Sequence, residues 1–501
     1  MKTIYCFFFA SVLMIMECII ASSEAQASSW QIEENRIESS SVSPIDYGLM
    51  TAKTGEERYW ALYNAHADAV RLGKKISYQG VGDIQIVIPK DAQWIPLAKE
   101  NDFSGVTITV ENNHKDFALF SMVNKGKVID IDQSALDGSN FRQYEKLKRG
   151  IVLLVLIDEN PWVENRKGYN YGASRNDILL LKNGVAQNKT IMPWGDVNTT
   201  KPSCQYIVTS KDQKVIKNLT MVRSASSSHK TMIFTIEGQN NVLIDNVSLI
   251  TPEEDEKYGD RAIGIDNCTN VIIRNLTIQG TYSQSDKFGY GISMNNNWNT
   301  RFINLVAEGK WGVFGTNNMN TVTLEDCNVN RFDIHCYGRD VTMKNCYFHD
   351  YYNQFSSVYG TIYYEKCTFD KFIPYLNESS YHCYTPFALR IKNCVWNVSK
   401  KYGDAAICFM GSDDDEFKNR PELRQIAWPN VIVNGLKINV PEELTECHVF
   451  YVSGSASNGK EIVNINRVKI KNVVIKEGVQ LKMSNRSFKT VNNIRLVVKK
   501  K

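Results

Sequence analysis

The chain has 501 residues, 43% of them hydrophobic, and its 58 Lys+Arg against 54 Asp+Glu leave a formal net charge of +4. Spread over this length, such a charge gives no basic footprint for a nucleic-acid partner, and none is expected. It neither requires nor forbids an acidic polymer, so local clusters must decide that.

Residues 1–27 read as a secretory signal peptide: Lys2, an apolar run from Ile4 to Met16, then Ala25-Gln-Ala27 as an A-x-A cleavage site. Glu17 interrupts the apolar run, which is short for a membrane span, and no later segment is apolar enough for stable membrane insertion. Cys18 follows Met16-Glu17, a poor lipid-attachment context, so lipoprotein anchoring is disfavoured. The expected location is secreted or periplasmic. The remainder, 28–501, is large for one compact domain but ordinary for a solenoid that grows rung by rung.

Thr54-Gly-Glu-Glu57 is a capping box that opens a helix through Glu56–Leu72, rich in Ala and Leu. A solenoid needs its open end covered, and this helix, about 54–72, is the expected lid. Strands follow at Ile84–Ile88 and Gly105–Val110.

From Asn241 to Trp396 one short phrase recurs seven times, about every 20 to 30 residues. Its copies include Val242-Leu-Ile-Asp-Asn246-Val-Ser-Leu, Val271-Ile-Ile-Arg-Asn275-Leu-Thr-Ile, Val341-Thr-Met-Lys-Asn345-Cys-Tyr-Phe and Leu389-Arg-Ile-Lys-Asn393-Cys-Val-Trp. Each alternates apolar and polar residues around an Asn-like corner, so one side of each strand is made for an interior that only stacked copies can supply. Weaker copies continue past Gly435 and through Val463–Ile475. The pattern predicts an all-β fold, a single parallel β-helix with an N-terminal capping α-helix.

The residue after the corner forms a column that ends Cys327, Cys346, Cys367, Cys394. Stacked rungs hold side chains farther apart than a disulfide prefers, so these thiols are expected to be free and interior.

A second strand precedes each corner phrase. Aligning Ile263-Gly-Ile-Asp266, Tyr290-Gly-Ile-Ser293, Trp311-Gly-Val-Phe314 and Phe332-Asp-Ile-His335 puts Ile265, Ile292, Val313 and Ile334 inward. It also predicts two outward columns, Gly264–Gly291–Gly312–Asp333 and Asp266–Ser293–Phe314–His335. The first would be a bare shelf that another chain could approach closely. Asp333 and His335 stand at its end, two residues apart on one strand face, with Arg331 of the same parity before them. Lys310 takes the equivalent place one rung earlier. His382 matches His335, roughly 10 Å away with one rung between. Arg339 and His349 lie in the next rung. Of Trp311, Tyr337, Tyr351, Tyr352, Tyr359 and Tyr384, some are expected in the core or in stacks between rungs, and others offer flat faces for sugar rings. Asp413–Glu416 reads as a solvated acidic loop rather than a Ca²⁺ site, because no ligand spacing accompanies it. No zinc spacing, phosphate-binding glycine loop or nucleophile elbow is present, so no cofactor or metal is expected.

The rung phrases, with Asp46-Tyr-Gly48 before the cap and Phe103–Val110 after it, resemble the pectate-lyase-like superfamily of right-handed parallel β-helices. Within it, the chain looks most like secreted gut-bacterial enzymes that degrade uronic-acid polysaccharides, glycosaminoglycan lyases among them. The resemblance implies an acidic polysaccharide substrate, and fold alone does not fix the activity. The paired aspartates of β-helix polygalacturonases and the Ca²⁺-binding aspartates of pectate lyases are not recognisable in the rungs, which favours metal-independent β-elimination.

On that reading His335 is the base, oriented by Asp333, and Arg331 or Lys310 neutralises the substrate carboxylate. Tyr359 or Tyr337 is the acid. His382 completes the catalytic set, with Lys310, Trp311, Tyr337, Arg339 and Tyr384 as substrate-binding residues. Two alternatives stay open: a glycoside hydrolase using Asp266 and Asp333, and a non-catalytic carbohydrate-binding solenoid.

Overall fold

The computed structural model describes residues 41–163, 173–192, 194, 202–251, 262–280, 290–307, 312–335, 337–349, 352–356, 358–377, 388–399, 405–410, 429–453, 464–465, 467–484, 489–490 and 495–500. The expected signal peptide 1–27, Cys18 within it, and the acidic run Asp413–Glu416 lie outside them.

The corner asparagines set the course of the chain. Asn218, Asn246, Asn275, Asn304, Asp326, Asn345, Lys366, Asn393 and Asn472 all take positive φ, and Gly435 does the same. Asn tolerates this left-handed bend because its side chain can bond locally. Here the side chains also bond along the stack: Asn246 Nδ2 donates to Asn218 Oδ1 at 2.9 Å, and Asn304 Nδ2 to Asn275 Oδ1 at 2.9 Å. Further corners of the same kind, including Asn267, Asn296 and Asn318, turn the chain elsewhere in each rung.

Each rung therefore has three strand faces. The first precedes the corner phrase's Asn, the second follows it, and the third is a separate strand such as Ile263–Asp266. All pair in parallel with the rung above and below, from Ser41–Val42 with Lys75–Ser77 to Val468–Ile475 with Arg495–Lys500. The all-β parallel β-helix expected from the repeats is the observed fold. Its interior is a continuous apolar column in which Phe302, Phe314, Phe332 and Phe355 stack edge-on or tilted. Cys327, Cys346, Cys367 and Cys394 are buried in it as free thiols.

The helix Gly55–Leu72 closes the N-terminal end. Its capping box forms as read: Thr54 Oγ1 accepts from Glu57 N, and Glu57 reaches back to the Thr54 N–H. Tyr59, Leu62, Ala65, His66 and Ala69 face the first rungs and are buried. His66 is held on both ring nitrogens, by the Pro96 carbonyl and the Tyr78 hydroxyl, each at 3.0 Å.

The sequence reading ran one uninterrupted coil from 28 to 501. Between Asn124 and Thr209 the chain instead leaves the coil and builds a five-stranded antiparallel sheet. In space its order is Val185–Ala186, Ala173–Lys182, Ile151–Val163, Ser203–Thr209, Lys127–Ile129. Both faces of its central strand are covered, which explains the unbroken apolar run from Ile151 to Ile157. Val152, Leu154 and Leu156 pack with Phe141, Leu147 and Trp194. Leu153 and Val155 pack with Ile178, Leu180 and Ile207, against Trp298 of the coil. Asn320 Nδ2 and Arg339 Nη1 fasten the sheet to the coil through the carbonyls of Lys189 and Thr190. The points of departure and return meet, since Asn124 Nδ2 donates to the Val208 carbonyl at 3.1 Å.

The third face corrects the expected register. Gly264 pairs with Ser293, Ser293 with Gly315, and Tyr290 with Gly312. Thr316 pairs with Ile334, which places Asp333 beside Gly315. The outward column is therefore Gly264–Ser293–Gly315–Asp333, continuing to Gln354 and Tyr375. A column of three glycines does not form. Ile265 and Ile334 share an inward column, as read, but Met294 and Thr316 lie between them instead of Ile292 and Val313. The asparagine corner at 267, 296 and 318 fixes this alignment, with Asn296 Nδ2 bonded to Asn267 Oδ1 at 3.0 Å. Aligning on Gly-plus-apolar pairs slipped the strands by up to three residues, and register errors in sheets move every side chain with them.

Candidate functional site

Asp333 lies on the two-residue strand Asp333–Ile334 and is completely buried although its column faces outward. A buried carboxylate needs partners, and it has several. Arg331 Nε sits 2.6 Å from Asp333 Oδ2, with both side chains at or below 3% exposure. Gln354 N donates to Asp333 Oδ1 at 3.2 Å, tying the carboxylate to the next rung. Arg331 Nη2 donates to Gln354 Oε1 at 3.0 Å. Burial weighs against the charge on Arg331, but Asp333 beside it more than offsets this, and its pKa lies above the ordinary arginine value.

His335 is the part of this cluster that solvent reaches, with its side chain 17% exposed. Its Nε2 lies 3.4 Å from Asp333 Oδ2 and 3.1 Å from the Tyr290 hydroxyl. Between Tyr290 and His335 the donor follows the imidazole tautomer, while the Asp333 carboxylate only accepts. Tyr290 reaches His335 from two rungs back because Gly315 leaves room. The Tyr290 ring lies over Gly315 in the space where a β-carbon would stand.

The site thus couples a surface Tyr–His pair to a buried Asp–Arg pair. The first is placed to pass protons at the surface, and the second holds the imidazole in position.

The structure brings together three residues that the sequence reading grouped: Arg331, Asp333 and His335. It changes the role open to Arg331, which was expected to meet a substrate carboxylate. Its guanidinium is buried and paired, so its charge acts through Asp333. Tyr337, expected to stack on sugar or act as an acid, is completely buried and presents no face to a polymer. Arg339 was expected to bind substrate but holds the inserted sheet at Thr190, 2.8 Å away, so it is a docking residue. Tyr359 pairs with Arg339 across neighbouring rungs on the first face, away from the third-face strand that carries Asp333. His349 packs against Tyr347 on the second face, their rings tilted by 51° with centroids 5.7 Å apart. Lys310, Trp311, His382 and Tyr384 lie outside the described residues.

The carboxylate pair of the hydrolase alternative does not converge. Asp266 and Asp333 stand three rungs apart, roughly 14 Å along the coil, beyond the separation two glycosidase carboxyls use. Asp266 instead accepts from Asn295 Nδ2 at 2.7 Å. Among the described residues, no group of three or more His, Cys, Asp or Glu side chains is placed to hold a metal ion.

Tyr290 is the member of the candidate site that sequence reasoning missed. It headed one of the aligned strands, yet the slipped register directed attention to the glycine after it. The available signal was Gly315, a bare position one rung before Asp333 in the same column.

No family model matches the sequence, and neither does any curated protein. Solved structures do resemble it. The tailspike protein gp49 from Pseudomonas phage LKA1 superposes with a TM-score of 0.53 at 12% identity, over 90% of this chain and 78% of that one. The tailspike gp61 of Pseudomonas phage phi297 gives 0.48 at 12% identity, over 90% and 84%. The gp54 tailspike of Acinetobacter baumannii bacteriophage AP22, solved with a capsular saccharide, gives 0.46 at 8% identity, over 90% and 78%. At these identities the likeness to the first of them is one of fold.

Proposed function

We propose that this chain is a secreted polysaccharide lyase of the pectate-lyase-like kind. Its substrate would be a uronic-acid-containing polysaccharide, with glycosaminoglycans such as chondroitin or hyaluronan favoured, cleaved by β-elimination without a metal. The observation that carries this reading is the Tyr290–His335 pair, 3.1 Å apart at the surface and backed by buried Asp333 and Arg331.

β-Elimination asks for two proton transfers on one sugar pair. His335 takes the proton from the carbon beside the uronate carboxylate, and the electron pair left behind forms the new carbon–carbon double bond. The bond to the glycosidic oxygen breaks, and the Tyr290 hydroxyl gives its proton to that leaving oxygen. The imidazolium then returns its proton to the tyrosinate through their shared hydrogen bond, which restores both groups. The positive charge that appears on His335 faces the negative charge growing on the substrate, and Asp333 stabilises it from below. Such acid–base pairs contribute about 10²–10⁴-fold each to rate.

The test is an ultraviolet screen for unsaturated product against hyaluronan, chondroitin, heparin, alginate and pectin. A rise in absorbance with at least one of them supports the reading. New reducing ends without absorbance would replace it with hydrolysis, and saturable binding without any product would replace it with a non-catalytic solenoid.

A further inference from the structure

From the His335 cluster toward the C-terminal end of the coil the surface becomes aromatic. Arg331 Cζ lies 5.3 Å from the centroid of the Tyr352 ring, and Lys371 Nζ lies 4.8 Å from the same centroid. The Tyr352 and Phe372 centroids are 6.0 Å apart. Phe372 and Tyr451 follow at 6.3 Å, with their planes only 26° from parallel. None of the three rings is buried, and Tyr451 is 38% exposed.

The register places this row on the same face as the proton-handling pair. Asp333, Gln354, Tyr375, Cys408 and Tyr451 are successive partners on the third face. The row therefore climbs four rungs from the cluster, roughly 19 Å along the coil. Each ring in the row is partly exposed and leaves some apolar surface in water. A row of partly exposed rings marks a binding surface more often than a scattered aromatic does. A sugar ring, apolar on its C–H faces and polar at its rim, is suited to such rings, and the ammonium of Lys371 is suited to an anionic group on it.

We propose that Tyr352, Phe372 and Tyr451 form a binding track for an acidic polysaccharide, with Lys371 pairing one of its anionic groups. The chain would lie along the coil axis, and its longer bound part would sit on the C-terminal side of His335. The identity of the polymer rests on the lyase reading above; the track itself rests on the aromatic row and its charge.

The experiment uses the full chain and the variants Phe372→Ala, Tyr451→Ala and Lys371→Gln. Binding is measured by titration calorimetry with hyaluronan, chondroitin sulfate, heparin, alginate and polygalacturonate, with dextran as the neutral control. A length series of the tightest binder is measured for binding and for ultraviolet product. The expected result is binding to at least one acidic polymer and none to dextran. Each aromatic variant should lose about tenfold in affinity for long oligosaccharides, more than for the shortest ones, with kcat unchanged. Lys371→Gln should flatten the salt dependence of binding.

Binding to none of the five acidic polymers overturns the track. So does an affinity for long oligosaccharides that both aromatic variants retain. Product formed by those variants at the wild-type KM would remove the track and leave the lyase reading standing. Binding that weakens in the variants, with no product from any protein, would do the reverse.

Discussion

The Tyr290 hydroxyl and His335 Nε2 lie 3.1 Å apart although 45 residues separate them in sequence. Two intervening turns of coil make this a junction of rungs rather than a local motif. If the pair moves protons during cleavage, His335→Ala should abolish unsaturated product. Tyr290→Phe should lower kcat by about 10²–10⁴-fold while thermal unfolding stays at the wild-type midpoint. Wild-type turnover in either variant would remove that residue from the chemistry.

Gly315 supplies the space for the Tyr290 ring. Gly315→Ala should push the ring off its seat, lowering activity nearly as much as Tyr290→Phe with little loss of stability. A structure of the variant would show the hydroxyl displaced from His335. An active variant with the ring unmoved would contradict this account.

Asp333 and Arg331 are both buried, so removing one charge strands the other. Asp333→Asn should cost about 3–5 kcal/mol in urea unfolding, far more than a surface ion pair would. A loss of activity with unfolding unchanged would show that the pair is not a structural unit.

Burial lowers the pKa of His66 beneath the cap helix from 6.5 to about 3, against the opposing bond to Pro96. The unfolded chain takes up that proton as pH falls past 6.5, and the folded chain does not until about 3. The stability His66 contributes at neutral pH is therefore lost on acidification through this window. Hydrogen exchange, corrected for intrinsic rate, should show protection of Gly55–Leu72 falling between about pH 7 and about pH 5. Protection that holds constant would indicate that the imidazole titrates normally.

Asn275 bends the chain at positive φ and is bonded to Asp245 Oδ1 and Asn304 Nδ2. Asn275→Ala should cost about 1–2 kcal/mol from the backbone alone. Asn275→Gly should recover the backbone part and leave only the lost side-chain bonds. Equal stability of the two variants in denaturant titration would show that the φ angle is not the cause.

The coil was legible because its repeats carry a local rule. Each corner needs an asparagine or its equivalent, and each strand alternates, so Asn246, Asn275 and Asn345 could be placed from sequence alone. The inserted sheet was not legible for the opposite reason. Ile151–Ile157 is buried on both faces and shows no alternation to read. Within the site, Arg331, Asp333 and His335 were found because they share one short stretch and one parity. Tyr290 was not, because its partnership depends on register across two rungs, which the glycine pairs suggested wrongly and the asparagine corners would have given. Tyr337 and Arg339 were misjudged because polarity in a loop-proximal residue does not reveal what will cover it.

The bond between Asn124 and the Val208 carbonyl brings together the two ends of an 80-odd-residue detour. The stacked turns on either side are built as though that stretch had been spliced into a finished object. Such a seam accepts exchange: a different module could be grafted between the same two residues while Phe117–Val123 and Lys214–Arg223 keep their neighbours. Whatever the present insert adds to the molecule can in principle evolve on its own schedule, independent of the scaffold that displays it.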